Sequence, residues 1–283
     1  MTLDIRLSEL ETVETITDDV RLLEAGAKVC ISDINQQEGE KALEELKERF
    51  GTGNVYFVAC DVCNEEEFNN LFDKTEEFFK VSCVDLLANN AGVNTNLGWR
   101  KCMAINIISV MLGSEIAQER MRKAGKAGQV INTASMAGFA PGINEEMTPY
   151  TVSKHGVVAL TRTMGKANTG VLHKCICPAW TETKLVLSAM EQDRKDDMSE
   201  HIKKSGGFMT PEHVAEGFYR LVTQCENGSA LAVMKVLNFN TSSISNYFSR
   251  MSPTCSYPTT ALPSSLSLSS CPSWCPGPSS LKL

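Results

Sequence analysis

The sequence predicts an α/β fold built on a doubly wound parallel sheet. Short apolar runs rich in Val, Ile and Leu alternate with longer segments of helical periodicity from about residue 20 to about residue 236. Those runs are nearly continuous in apolar character, as expected of strands covered on both faces. The composition, 42% hydrophobic and 22% charged over 283 residues, is that of an ordinary globular protein of one or two domains.

Taken in order, residues 1–20 form an atypical N-terminal segment. Acidic and hydroxyl residues (Glu9, Glu11, Thr12, Glu14, Thr15, Thr17, Asp18, Asp19) dominate it without a convincing buried strand, although residues 18–25 finish a helix that Gly26 can close. Strands are expected over 27–33, 55–60, 84–88, 129–134, 172–177 and 231–236, and helices over 36–50, 65–80, 97–123, 149–168 and 211–225. The last helix opens on Thr210-Pro211-Glu212, with an N-cap hydroxyl, Pro in the first turn and a carboxylate at the positive end. The α/β domain is set at residues 21–250. From 251 to 283 the chain is rich in Ser and Pro and almost uncharged, a composition that buries no core and reads as a disordered tail.

Charge and composition exclude several roles. With 27 Lys plus Arg against 34 Asp plus Glu, a net charge of −7 offers no basic footprint for nucleic acid. No apolar stretch approaches the roughly 20 residues that span a bilayer. Met1-Thr2-Leu3-Asp4 lacks a secretory pattern, so the expected location is cytoplasmic. Most cysteines lie in apolar runs such as Val29-Cys30-Ile31 and Cys175-Ile176-Cys177 and read as buried thiols. Cys60 and Cys63 have no second pair or His at ligand spacing, so no metal is expected.

Four polar residues can meet at the carboxyl edge of such a sheet. Ser135 follows the strand Ile131-Asn132-Thr133-Ala134, where ligands collect in doubly wound folds. Tyr150 and Lys154 are one helical turn apart and share a face. Asn106 is a polar residue inside an apolar helical stretch. A phenol is a poor base near neutrality, but a neighbouring ammonium favours its phenolate; a Ser hydroxyl can bind the same substrate oxygen, and an amide can hold the lysine or a relay water. Singly, each also has a structural reading: a chance Tyr-x-x-x-Lys pair, a buried amide or helix bend, a turn-capping Ser.

The run Asn89-Asn90-Ala91-Gly92, then Ala134-Ser135, then Tyr150-x-x-x-Lys154, then Cys177-Pro178, resembles the short-chain dehydrogenase/reductase family, in order and spacing from about residue 25 to 236. That resemblance implies a Rossmann-like sheet. Asn90-Ala91-Gly92-Val93-Asn94, Trp99 ahead of Ile105-Asn106, and Ser153-Lys154-His155-Gly156 are similar to members that oxidise hydroxylated, prostaglandin-type lipids with NAD. The resemblance implies Tyr150 as acid/base, Lys154 lowering its pKa and holding the nicotinamide ribose, Ser135 orienting the substrate oxygen and Asn106 supporting the proton relay. It further implies Asp33 and Ile34 at the adenosine ribose, with Asp33 disfavouring a 2′-phosphate and so selecting NAD. Cys60, Asp61 and Val62 are implied at the adenine, Asn90 along the cleft, and Thr181, Glu182 and Thr183 beside the nicotinamide carboxamide. A homodimer is implied as well.

The departures are as informative. The family opens with a central strand and a Thr-Gly-x-x-x-Gly-x-Gly turn that lets backbone N–H groups reach a pyrophosphate; before Gly26 this chain has no glycine, so that first strand and its loop are missing or replaced. Gly51-Thr52-Gly53 precedes a strand and is no substitute. Residues 161–171 are shorter than the family pattern by about one turn, on the helix that builds its dimer interface. The loop 136–148 is longer, and His173-Lys174 is an unusual pair for a strand, His173 being expected to fit there poorly. The two functions expected are an NAD-dependent secondary-alcohol dehydrogenase and, as the alternative, a catalytically inactive variant acting as an interaction protein.

Overall fold

The computed structural model describes residues 2–5, 17–167, 169–191 and 195–235, all in the first of the chain's two units, Met1–Ile244. The Ser/Pro-rich tail at 251–283, the glycine-free segment 6–16 and the end of the expected strand 231–236 lie outside the described residues. Among the described residues no helix is long and apolar enough to cross a membrane.

The strands are β1 (Thr2–Ile5), β2 (Val29–Asp33), β3 (Val55–Ala59), β4 (Leu86–Asn89), β5 (Gly128–Thr133), β6 (Val171–Pro178) and β7 (Ala230–Val233). They form one parallel sheet in the order β3-β2-β1-β4-β5-β6-β7. The first strand of the expected sheet is thus replaced and not missing. Thr2 lies opposite Val29 and Leu86, and Ile5 opposite Ser32 and Asn89. Residues 3–7 are the segment that can fill this gap, and their alternation of Asp4 and Arg6 with apolar residues argues against a doubly buried strand, but backbone pairing decides the matter. Without β1, the inner edges of β2 and β4 would leave buried N–H and C=O groups unpaired at about 1–3 kcal/mol each.

The helices are α1 (Thr17–Glu24), α2 (Gln36–Phe50), α3 (Glu65–Phe79), α4 (Trp99–Met103), α5 (Ser109–Lys123), α6 (Thr148–Lys166), α7 (Lys184–Glu191), α8 (Lys195–Lys204) and α9 (Pro211–Gln224). Gly26 closes α1 as the sequence suggests. At φ +84 it takes a conformation costly to residues with a Cβ, which lets its N–H reach Leu23 O at 2.9 Å and that of Ala27 reach Leu22 O at 3.0 Å. Asn35, Asn64 and Thr210 cap α2, α3 and α9 through their side chains.

Two apolar layers sandwich the sheet. Phe68, Leu71, Phe72 and Met121, from α3 and α5, pack with Leu87 and Val130. Leu22, Leu46, Phe218 and Leu221, from α1, α2 and α9, pack with Ile31, Ile131 and Leu231.

Two local differences from the sequence reading concern buried polar groups. The single helix expected over 97–123 divides into α4, a π-helical turn at Ala104–Ile108, and α5. His173 and Lys174 are both buried in β6 with partners. His173 Nε2 meets Gln118 Oε1 at 3.1 Å, while its Nδ1 has no hydrogen-bond partner. Lys174 Nζ donates to Gln129 Oε1 at 2.8 Å and to the carbonyls of Leu221 and Val222 at 3.0 and 3.1 Å. Its ammonium thereby satisfies carbonyls at the negative end of α9, the reason a lysine survives in this strand.

His173 makes the fold acid-sensitive. Burial pushes its imidazole down to about 4 from 6.5. A folded value below the unfolded one means that its contribution is complete above pH 6.5 and is lost as pH falls toward 4, by at most about 3 kcal/mol. Denaturant unfolding of the wild-type protein is expected to show this loss across pH 6.5 to 4, and His173→Leu to flatten that part of the profile. Equal slopes for the two proteins would assign the acid sensitivity to other groups.

Candidate active site

In a parallel sheet every strand delivers its following loop to the same edge, and here that edge gathers the polar residues. Ser135 follows β5 with extended backbone (φ −171, ψ 164), and its Oγ accepts from Ala137 N at 3.1 Å, starting a tight turn at Met136–Gly138. That turn lies against α6. A Cβ at Gly138 would stand 2.7 Å from Lys154 O, so only glycine permits the approach.

Tyr150 and Lys154 project from the first turns of α6, which Pro149 helps to open. Burial raises the Tyr150 phenol above 10.0, and the hydrogen bond from the Ser135 hydroxyl offsets part of that rise. Lys154 is 3% exposed, and burial pulls its ammonium down to about 8. Its Nζ donates to Thr133 O at 2.7 Å and lies 5.6 Å from the centre of the Tyr150 ring. Ser135 thus eases ionisation of Tyr150, while the Lys154 ammonium is seated on a strand carbonyl close to the same ring.

Asn106 sits in the π-helical turn with its amide committed on both ends. Its Oδ1 accepts from Val93 N and its Nδ2 donates to Val93 O, each at 2.8 Å, with Ser153 Oγ and Cys102 Sγ at 3.3 and 3.4 Å. This grip on a loop thirteen residues back explains the break in the expected helix, because one widened turn lets a side chain reach the neighbouring backbone. Asn106 and Lys154 flank Gly92, where a Cβ would stand 3.7 Å from Asn106 Oδ1 and 3.6 Å from Lys154 Nζ. Ser153 completes the chain of contacts by donating to Tyr150 O at 2.7 Å.

A second, buried set of bonds holds the sheet to α6. Asn89 Nδ2 donates to Asn132 Oδ1 at 2.9 Å, and Asn132 Nδ2 to Thr161 Oγ1 of α6 at 3.0 Å. These bonds fix the register of β4, β5 and α6, and hence the spacing between Ser135 and Tyr150.

The cofactor-facing residues of the sequence reading occupy the same edge. Asp33 ends β2, with Oδ1 accepting from Asn35 N at 2.7 Å, and Ile34 beside it is 38% exposed. Cys60 donates its N–H to Asp33 O at 3.1 Å, tying the ends of β2 and β3 together, and burial lifts its thiol to about 12. Asp61 accepts from Cys63 N at 2.9 Å, and Val62 is buried. Asn90 follows β4 and accepts from Thr133 Oγ1 at 2.7 Å. Thr181 bridges to Met209, Glu182 N donates to Met209 O, and Thr183 N to Thr181 O.

The sequence reading did not single out Thr133, Ser153 or the backbone of Val93. Val93 acts through its main chain and Thr133 through its carbonyl as well as its hydroxyl, and main-chain atoms carry no residue signature; Ser153 is visible only as part of the runs around Lys154.

This donor set fits a dinucleotide at its two ribose ends: a carboxylate ending β2, and a lysine beside a tyrosine at the end of β5. Residues 6–16, which join β1 to α1, contain no glycine to form the usual phosphate turn. Among the described residues no group of three or more His, Cys, Asp or Glu is placed to hold a metal ion, and the cysteines form no disulfide.

Residues 20–194 match the family model described as short chain dehydrogenase. The chain is 33% identical to 15-hydroxyprostaglandin dehydrogenase [NAD(+)] of Bos taurus over 231 residues, 76% of this chain and 83% of that protein. It is also 33% identical to the Homo sapiens protein of that name over 228 residues, with the same coverage. A 3beta-hydroxysteroid dehydrogenase 2 from Eggerthella lenta matches at 33% over 178 residues, 58% of this chain and 65% of that one. Among solved structures, a levodione reductase aligns with TM-score 0.71 at 24% identity, covering 82% of this chain and 96% of its own. An actinorhodin polyketide ketoreductase with NADPH aligns at 0.69 and 24%, covering 82% and 95%.

Asn106 is a keystone by these contacts. Asn106→Ala leaves the Val93 N–H and C=O unpaired in a buried loop and is expected to lower unfolding free energy by about 2–4 kcal/mol in a urea titration. A loss below about 0.5 kcal/mol would show that the π-helical turn stands without it.

Proposed function

The chain belongs to the short-chain dehydrogenase family, and on that premise we propose that it oxidises a secondary alcohol of a hydroxylated, prostaglandin-type lipid with NAD. The observation that carries this reading is the buried Lys154, seated on Thr133 O at 2.7 Å and 5.6 Å from the centre of the Tyr150 ring, at the carboxyl edge where β5 ends and Ser135 follows. The extent of the match to relatives whose names specify 15-hydroxyprostaglandin and NAD supports the substrate and cofactor class.

Each residue has a role of its own. Tyr150, as its phenolate, takes the proton of the substrate hydroxyl and becomes the neutral phenol; Ser135 holds that oxygen and favours the phenolate before the transfer. Lys154 holds the hydroxyls of the nicotinamide ribose, for which its seat on Thr133 O prepares the ammonium. Asn106 supports the proton relay by fixing the Val93 loop and Ser153 around Lys154. Asp33 accepts from the adenosine ribose, and its charge disfavours a 2′-phosphate; Ile34, Cys60, Asp61 and Val62 line the adenine side. Asn90 lines the cleft between, and Thr181, Glu182 and Thr183 lie by the carboxamide. NAD, when bound, supplies the hydride acceptor. The buried thiols favour the cytoplasm as its location, and family precedent favours a homodimer.

The test is turnover of a 15-hydroxylated fatty acid, followed by formation of reduced nicotinamide. Tyr150→Phe is expected to lower kcat at least ~100-fold, the scale of general acid–base catalysis. Ser135→Ala is expected to move the apparent ionisation that governs kcat to higher pH, because the bond that lowers the phenol's pKa is gone. Cofactor binding without oxidation of any hydroxylated lipid would overturn the substrate reading and favour the inactive variant.

A further inference from the structure

Thr133, the last residue of β5, works in two directions. Its carbonyl accepts Lys154 Nζ at 2.7 Å, and its hydroxyl donates to Asn90 Oδ1 at 2.7 Å. The backbone on either side is fixed: Asn132 is held by Asn89 and Thr161 through its side chain, and Ala134 N donates to Ile176 O at 2.8 Å. The carbonyl that seats the ammonium therefore has little freedom to shift. The Asn90 amide is different, because it sits in a loop and its orientation depends on which end finds a partner. With Oδ1 engaged by the Thr133 hydroxyl, the NH2 end is the one left to donate.

We propose that Thr133 is a positioning residue for the nucleotide side of the site: it seats Lys154 through its carbonyl and, through its hydroxyl, turns the Asn90 amide so that the NH2 group is offered to an oxygen acceptor of the bound nucleotide. This rests on the dinucleotide reading above and adds to it the residue that sets the polarity of the cleft wall. Valine at this position would keep the β-branched shape and the carbonyl and lose only the hydroxyl. Serine would keep the hydroxyl. The two substitutions separate the bond from the packing.

The experiment is calorimetric titration of the full chain with nicotinamide mononucleotide, with adenosine as the control for the distant Asp33 end, together with the side-chain amide resonances of Asn90. Thr133→Val is expected to weaken the mononucleotide about 3- to 10-fold, the value of one neutral hydrogen bond. Adenosine affinity is expected to be unchanged and the Asn90 amide resonances to move. Thr133→Ser is expected to bind within about twofold of wild type by the same reckoning. If Thr133→Val does not fold, Asn90→Asp serves instead, since it keeps an acceptor for Thr133 but has no NH2, and it is expected to weaken the mononucleotide at least as much. Wild-type affinity in Thr133→Val, equal weakening of both ligands, or failure of serine to restore binding would overturn the proposal alone. Failure of the wild-type protein to bind either ligand would overturn the dinucleotide reading, and the proposal with it.

Discussion

The structure depends on the pairing of β1 between β2 and β4. A parallel sheet holds its ligand site only if its strands remain in one register, because each site residue sits at or just beyond a strand's carboxyl end. Thr2–Ile5 closes the slot between the Asp33 strand and the Asn89 strand, joining the half that ends at β3 to the half that carries β5, β6 and β7. A strand this short suffices because its contribution is backbone pairing on two sides.

From that frame the site is assembled chiefly by hydrogen bonds to main-chain atoms. Val93 grips Asn106, Thr133 O seats Lys154, and Tyr150 O accepts from Ser153. Burial then sets the electrostatics. It raises the phenol and lowers the ammonium, moving both toward their neutral forms, and Ser135 is the neighbour that favours the phenolate. A desolvated tyrosine and lysine, each held in place before any ligand arrives, are suited to moving a proton at a fixed point.

Much of this was legible in the sequence. The Val/Ile/Leu runs mark six strands to within a few residues, and Ser135, Tyr150 and Lys154 are drawn together as their spacing requires. β1 was legible only as a poor candidate at residues 3–7, because Asp4 and the following Arg6 read as surface while the slot is defined by strands far along the chain. The break at Asn106 was hidden because its partner, Val93, is used through its backbone. Lys174 appears misplaced in a strand until the carbonyls at the end of α9 are seen around its ammonium. In each case the missing information was a tertiary partner, not a local preference.

The central claim is that this sheet, completed by β1, retains a dinucleotide cleft although residues 6–16 lack glycine. The most direct test is thermal unfolding of the full chain with and without NAD, paired with Asp33→Ala. The account predicts one cooperative transition that rises with NAD concentration in the wild-type protein and does not rise in the variant. A cooperative transition that NAD leaves unmoved in the wild-type protein would contradict it.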